Sequence, residues 1–114
     1  MFIRESRREY SPDRWVVLYY PKDDDYAILG GWSGGYATGD SWRRSTSIQH
    51  VVEHDEHYEV HNKSGSVYML RKDAYGMNSI MSQIFRSLGS ITVLDRDDAE
   101  VIIDFYTKEE ESGH

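Results

Sequence analysis

Four of the five histidines in this chain lie within twelve residues, in the segment HVVEHDEHYEVH at positions 50–61. Imidazole nitrogens bind transition metals, and imidazole takes up a proton near neutral pH, so the segment could form a metal site or a pH-sensitive surface. Four carboxylates are interleaved with the histidines. A third interpretation is the solvated polar face of an ordinary hairpin without a ligand, since strands with one face toward water commonly alternate polar and apolar residues.

The register of this hairpin decides whether the histidines meet. Because side chains alternate along a strand, a two-residue turn at Asp55 and Glu56 predicts two cross-strand pairs on one face, together with Glu59. The two pairs are His54 with His57 and His50 with His61. Directly opposed side chains could clamp one ion, and a carboxylate and water could complete a site for zinc or another divalent transition metal. A turn longer by one residue would divide the histidines between the two faces.

Extended segments rich in β-branched and aromatic residues flank this hairpin on both sides. Residues 14–20 and 26–32 are separated by the turn sequence PKDDD and predict a first hairpin. The stretch 30–40 contains five glycines and is predicted as a loop or as a strand broken by bulges. From residue 42 onward the pattern predicts three further strands. The result is an α+β fold with a mainly antiparallel sheet of about five strands.

An amphipathic helix is predicted over residues 77–88 and should cover one face of this sheet. Apolar residues recur there at the spacing of a helical face, namely Met77, Ile80, Met81, Ile84, Phe85 and Leu88. Asn78 or Ser79 suits the N-cap, and Gly89 suits the left-handed residue just beyond the end.

A second, short acidic helix is predicted over residues 97–107, after a strand candidate at 90–95. Asp95 and Asp98 are placed like a capping pair, and acidic residues in a first turn interact favourably with the helix dipole. The alternative is a strand in which alternate residues share one face, namely Val101, Ile103 and Phe105.

The length of 114 residues predicts one small globular domain, with residues 1–12 and 108–114 as flexible ends. The chain has no cysteine, which removes disulfides and thiolate metal sites and is typical of a reducing compartment. No apolar run approaches the roughly 20 residues of a membrane span, and the first residues lack the apolar stretch of a signal peptide. We therefore expect a cytoplasmic protein without membrane association.

The net charge of −7 at pH 7 is concentrated in residues 95–114, which contribute −6. Such acidity disfavours direct contact with nucleic acid and favours a protein partner with a basic surface. The candidate partner-binding carboxylates are Asp95, Asp97, Asp98, Glu100 and Asp104. Three aromatic residues in or near the glycine-rich stretch are candidate anchors at the interface, namely Trp32, Tyr36 and Trp42.

The sequence contains no phosphate-binding or nucleophile-elbow motif, so we expect a protein that is not an enzyme and needs no cofactor. The hypothesis is an inhibitor or adaptor that occupies a basic site on nucleic-acid machinery. In size and charge it is analogous to small accessory proteins of phages and mobile elements, including anti-CRISPR inhibitors. Two alternatives stay open: a metal-binding protein that uses the histidine hairpin, and a structural subunit that self-associates into a homo-oligomer.

Overall fold

The computed structural model describes residues 8–35 and 39–112, with side chains for residues 8–33 and 41–108. This part of the chain forms eight strands: β1 (Glu9–Tyr10), β2 (Arg14–Tyr20), β3 (Asp25–Gly35), β4 (Gly39–Arg44), β5 (Ile48–Glu53), β6 (His57–Asn62), β7 (Val67–Arg71) and β8 (Thr92–Val93). A 3-10 turn spans Lys72–Ala74, and the two helices are α1 (Ser79–Arg86) and α2 (Arg96–Ser112).

The strands form two four-stranded sheets rather than the single sheet of about five strands that the sequence predicts. The first sheet has the order β1-β7-β6-β5, and the second sheet has the order β4-β3-β2-β8. The pairings between these strands are antiparallel except the one between β1 and β7. The predicted α+β class with mainly antiparallel strands is confirmed. The strand predicted within residues 90–95 is confirmed by β8. The prediction of a single sheet is wrong.

The chain changes sheets at Ser45, between β4 and β5. The backbone N–H of Ser45 donates to the carbonyl of Ile28 at 2.8 Å, and its hydroxyl accepts from the N–H of Ile28 at 2.9 Å, so Ser45 ends the pairing of β4 with β3. Residues from Ile48 onward pair in the first sheet instead. The residues of an extended segment do not indicate which strand they will pair with. The sequence therefore predicts one strand from residue 42 onward where the structure has β4 and β5.

The first predicted hairpin is confirmed by the pairing of β2 with β3. β3 continues through the glycine-rich stretch to Gly35, with a register shift against β4 between Trp32 and Gly35. This is the strand broken by a bulge, which is one of the two forms predicted for residues 30–40. Residues 36–38 lie outside the described residues.

The main core lies between the two sheets. Its buried residues include Trp15, Val17 and Ile28 from the second sheet and Val51, Val60, Tyr68 and Leu70 from the first sheet. Ala99 and Ile103 of α2 close this core beside β5. Trp15 also joins the sheets directly, because its indole N–H donates to the carbonyl of Arg71 at 2.7 Å.

Helix α1 covers the opposite face of the second sheet. Its buried residue Met81 belongs to a second apolar cluster with Val16, Leu18 and Leu29. The predicted cap is confirmed at Asn78, whose side chain accepts from the N–H of Met81 at 3.1 Å, and Gly89 has the predicted left-handed conformation, with φ of 79°. The helix is shorter than the predicted range 77–88, and the predicted cover applies to the second sheet alone.

Helix α2 confirms the helical interpretation of residues 97–107 and rules out the strand, although the helix is longer than predicted. The carboxylate of Asp95 accepts from the N–H of Asp98 at 2.9 Å, which is the predicted cap. The flexibility expected for residues 1–12 and 108–114 stays a prediction. β1 lies within the first of these segments, and the last turn of α2 lies within the second.

Candidate functional site

The four histidines of the hairpin form two cross-strand pairs on one face of the first sheet: His50 with His61, and His54 with His57. Their rings stack with centroid separations of 4.3 and 4.5 Å and interplanar angles of 14° and 16°. The turn between the strands contains only Asp55 and Glu56, because the N–H of His54 donates to the carbonyl of His57 at 2.9 Å. Of the two turn lengths that the sequence left open, the structure has the two-residue turn, and its register places the four histidines on one face.

Glu59 links the two stacked pairs through its carboxylate. One carboxylate oxygen accepts from Nε2 of His54 at 2.9 Å, and the other accepts from Nε2 of His61 at 2.7 Å. The hydrogen bond from His54 lowers the pKa of Glu59, the bond from His61 adds to this effect, and partial burial of the carboxylate opposes it. The hairpin thus carries a hydrogen-bonded network of one carboxylate and two stacked imidazole pairs.

The metal alternative for this hairpin, with zinc or a similar ion on the four histidines, stays a prediction. Across the described residues, no group of three or more histidine, aspartate or glutamate side chains is arranged to hold a metal ion. Two of the imidazole nitrogens face the carboxylate of Glu59 instead. Nε2 of His57 is buried and has no hydrogen-bond partner in the described part of the chain.

The outer side of α2 exposes two large apolar residues. Val101 is 66% exposed and Phe105 is 53% exposed, whereas Ala99 and Ile103 on the inner side are almost fully buried. Residues four apart on a helix lie one turn apart on the same side, so Val101 and Phe105 are neighbours on the surface. They form a small apolar patch that faces solvent.

Exposed carboxylates surround this patch. We call it, together with its carboxylates, the acidic face of α2, and it consists of Asp97, Asp98, Glu100, Val101, Asp104 and Phe105. Glu100 pairs with Arg96 at 3.5 Å, and Asp104 pairs with Lys108 at 3.2 Å, both within exposed i,i+4 pairs. Asp97 and Asp98 make no side-chain ion pair with any described residue. The fifth predicted carboxylate, Asp95, is the helix cap rather than a member of this face.

The predicted aromatic anchors lie away from α2. Trp32 and Trp42 occupy opposite faces of the second sheet, because Trp42 pairs with Gly31 and Trp32 pairs with the next residue along, Ser41. The indole N–H of Trp32 donates to the carbonyl of Ser11 at 3.0 Å, and its ring packs against the ring of Tyr10. Trp32 therefore attaches the segment around β1 to the second sheet. Trp42 is 42% exposed. The third candidate, Tyr36, lies outside the described residues.

The apolar patch on α2 is the part of the candidate site that the sequence analysis missed. Val101 and Phe105 were considered there as alternating residues of a possible strand. A helical pattern that buries Ala99 and Ile103 necessarily turns Val101 and Phe105 to the other side, because the period is 3.6 residues. The sequence therefore contains the pattern that predicts the exposed pair, but only if residues 97–107 are assigned as a helix rather than a strand.

An open groove of about 910 Å³ lies beside the turn of the histidine hairpin. Its charged lining residues have both signs: Glu9, Asp13, Asp55, Glu56 and Asp73 against Arg71 and Lys72. Carboxylates outnumber basic side chains in this groove too, but none of the four large apolar residues that are exposed in the described part of the chain lines it, whereas the acidic face of α2 carries two of them.

Comparison with protein-family models, with curated proteins and with solved structures finds no match to this chain. Among the described residues, neither helix is long and apolar enough to cross a membrane.

Proposed function

We propose that this protein is a non-enzymatic binding domain, an inhibitor or adaptor whose acidic face on α2 occupies a basic site on a protein of the nucleic-acid machinery. The observation that carries the proposal is the exposed apolar pair of α2 with carboxylates around it. A surface of this composition suits association with another protein, because apolar side chains supply the anchor and charges select the partner.

The carboxylates of α2 have a spacing that supports mimicry of a phosphate backbone. Asp97, Glu100 and Asp104 follow one another at i, i+3 and i+7, so they lie along one side of the helix. They cover about 10 Å of helix axis at 1.5 Å per residue. One DNA strand carries about three phosphate charges over the same axial length. A basic site shaped for phosphates therefore meets a similar density of negative charge.

The ion pairs within α2 leave its carboxylates available to a partner. Arg96 with Glu100 and Lys108 with Asp104 are exposed pairs, and such pairs contribute little stability. A partner's arginine or lysine can replace either cation at small cost. Asp97 and Asp98 have no described ion pair to lose.

The test is capture of a partner by three forms of the protein from lysate of the native source, at about 0.1 M and about 0.5 M salt. The forms are the wild type, the reversal variant Asp97→Lys/Asp98→Lys/Glu100→Lys, and a matched variant Glu9→Lys/Asp23→Lys/Glu56→Lys with the same net charge. The three control positions are exposed, and none of them belongs to α2 or lines the depression that the hairpin shares with α2. Thermal unfolding of each form checks that the fold is retained.

We expect one stoichiometric partner that binds the wild type and the matched variant at low salt and is lost from the reversal variant. High salt should release this partner, because exposed charges are screened. Retention of the partner by a folded reversal variant would refute the proposal. Equal loss from both variants would mean that overall charge, rather than the acidic face, controls the interaction.

A further inference from the structure

The acidic face of α2 also indicates what kind of surface it meets. We infer that α2 docks into an apolar groove of a basic protein and that Val101 and Phe105 are the two side chains that enter this groove. The inference rests on the proposed function and specifies the partner surface that the function requires.

Val101 and Phe105 contribute little to the protein's own core. Among the described residues four large apolar side chains are exposed, and these two are the most exposed of them, at 66% and 53%. The other two, Trp42 and Met77, belong to β4 and to the segment before α1. Single exposed apolar residues are common, but an adjacent pair on one helix turn is the pattern of a helix that docks into a groove.

The geometry of the pair sets the dimensions of the partner site. Residues four apart are about 6 Å apart along the helix axis. The groove should therefore present two neighbouring apolar pockets at that separation, one for a branched aliphatic side chain and one for an aromatic ring. Docking removes both side chains from water, which favours association.

The charges beside the pair exclude several other occupants. The stripe of Asp97, Glu100 and Asp104 lies on one side of the pair, and Asp98 lies on the other side. Anionic lipid headgroups and nucleic-acid phosphates would be repelled by these carboxylates. A second copy of α2 would bring four carboxylates against four, with only Arg96 and Lys108 of each copy to offset them. The complementary surface is a protein groove with arginine or lysine on its rims.

The two parts of the face should act on different steps of binding. Rim charges mainly change the rate of association and its salt dependence, whereas buried apolar anchors mainly change the rate of dissociation. This difference separates the role of Val101 and Phe105 from the role of the carboxylates in a single set of measurements.

The experiment uses the full chain, immobilised, and a display library of random peptides as the probe. Selected peptides are sequenced and synthesised, and their affinities are measured for the wild type and three variants at two salt concentrations. The variants are Val101→Ser/Phe105→Ser, Asp97→Asn/Asp98→Asn/Glu100→Gln, and the control Met77→Ser, which removes an exposed apolar side chain elsewhere.

We expect the selected peptides to combine arginine or lysine with large apolar residues. Val101→Ser/Phe105→Ser should lower their affinity by at least about tenfold through faster dissociation, with an unchanged salt dependence. The neutralised variant should lower the affinity and flatten the salt dependence. The control variant should bind like the wild type.

Each other outcome overturns the inference in a distinguishable way. Peptides that are basic but not apolar, and that depend on the carboxylates alone, would remove the role of Val101 and Phe105 while the proposed function stands. Peptides insensitive to both variants of α2, or sensitive to the control variant, would place binding elsewhere and overturn both proposals. A selection that yields no binding peptide would also overturn the groove-docking inference.

Discussion

Glu59 and Tyr75 each connect separate segments of the fold through their polar groups. Glu59 joins the two stacked histidine pairs of the hairpin. The hydroxyl of Tyr75 accepts from the N–H of Val17 at 3.0 Å and donates to the carbonyl of Leu94 at 2.6 Å. For each residue we therefore predict how removal of its polar group changes the stability of the protein.

Glu59→Gln should destabilise the protein by about 1 kcal/mol at pH 7, because a charge-assisted hydrogen bond becomes a neutral one. The pKa of Glu59 is lowered in the folded state, so its stabilising contribution is present above the ordinary value of 4.5 and is lost as the pH falls through the lowered value. Urea unfolding at a series of pH values from 7 downward measures the difference between the two forms. A difference that does not shrink as the pH falls below 4.5 would contradict this assignment.

Tyr75→Phe should cost about 1 to 3 kcal/mol, because it leaves a buried N–H and a carbonyl without their partner. Burial raises the pKa of Tyr75 to about 12, so the neutral form is favoured in the folded state. Its contribution is present below pH 10 and is lost as the pH rises through about 12. The variant should lose less stability over that interval in urea unfolding. Tyr19→Phe, at a more exposed hydroxyl bound to Asp24, is the control and should cost less.

At the scale of elements, α2 depends on a cap at its start and on two buried residues along its inner side. Asp95 supplies the cap, and Ala99 and Ile103 attach the helix to the main core. The acidic face is held in place by these contacts, since its own residues point to solvent. Loss of the cap should therefore weaken the first turn, where Asp97 and Asp98 lie.

Asp95→Ala should lower the free energy of unfolding by about 1 kcal/mol, because the N–H of Asp98 loses its side-chain acceptor. Asp97→Ala removes an equal charge from the same turn without removing the cap, and it should cost only a few tenths of a kcal/mol through the helix dipole. Chemical unfolding of both variants makes the comparison. Equal losses would show that charge alone, and not the cap, stabilises this end of α2.

The sequence predicts those elements whose determinants are local. The strands of the histidine hairpin follow from alternation, although the sequence left the length of their turn open, and α1 follows from its apolar spacing and its cap at Asn78. The division into two sheets does not follow, because it depends on contacts such as those of Ser45 with Ile28, seventeen positions away. The acidic face was half predicted: its carboxylates were identified, but Val101 and Phe105 required knowledge of which side α2 buries.

At the scale of the whole molecule, the net charge connects the histidine hairpin to the acidic face. Protonation of the five histidines would change the formal charge from −7 to −2. The hairpin is also close to α2, since His54 and Thr107 line the same surface depression. Other charged groups around the hairpin include Glu59 on the same face as the histidines. Arg71 of β7 lies opposite His57 in the strand register.

Binding of a basic partner should therefore weaken as the pH falls, because added positive charge reduces the negative field of the protein. We expect an affinity at least about threefold lower at pH 5.5 than at pH 7.5. A variant with glutamine at His50, His54, His57 and His61 is the control and should show a smaller change. An affinity that is equal at the two pH values would exclude this role for the hairpin.

An NMR titration of the ¹⁵N-labelled protein with its captured partner locates the binding surface directly. We expect the largest amide shift changes and line broadening on residues 96–108 of α2. Small changes are expected at the other exposed acidic turns, 22–24 and 55–56. The claim that the acidic face of α2 is the binding surface would be contradicted if α2 were unaffected and the changes were centred elsewhere. Such places are those turns, the hairpin histidines and β4.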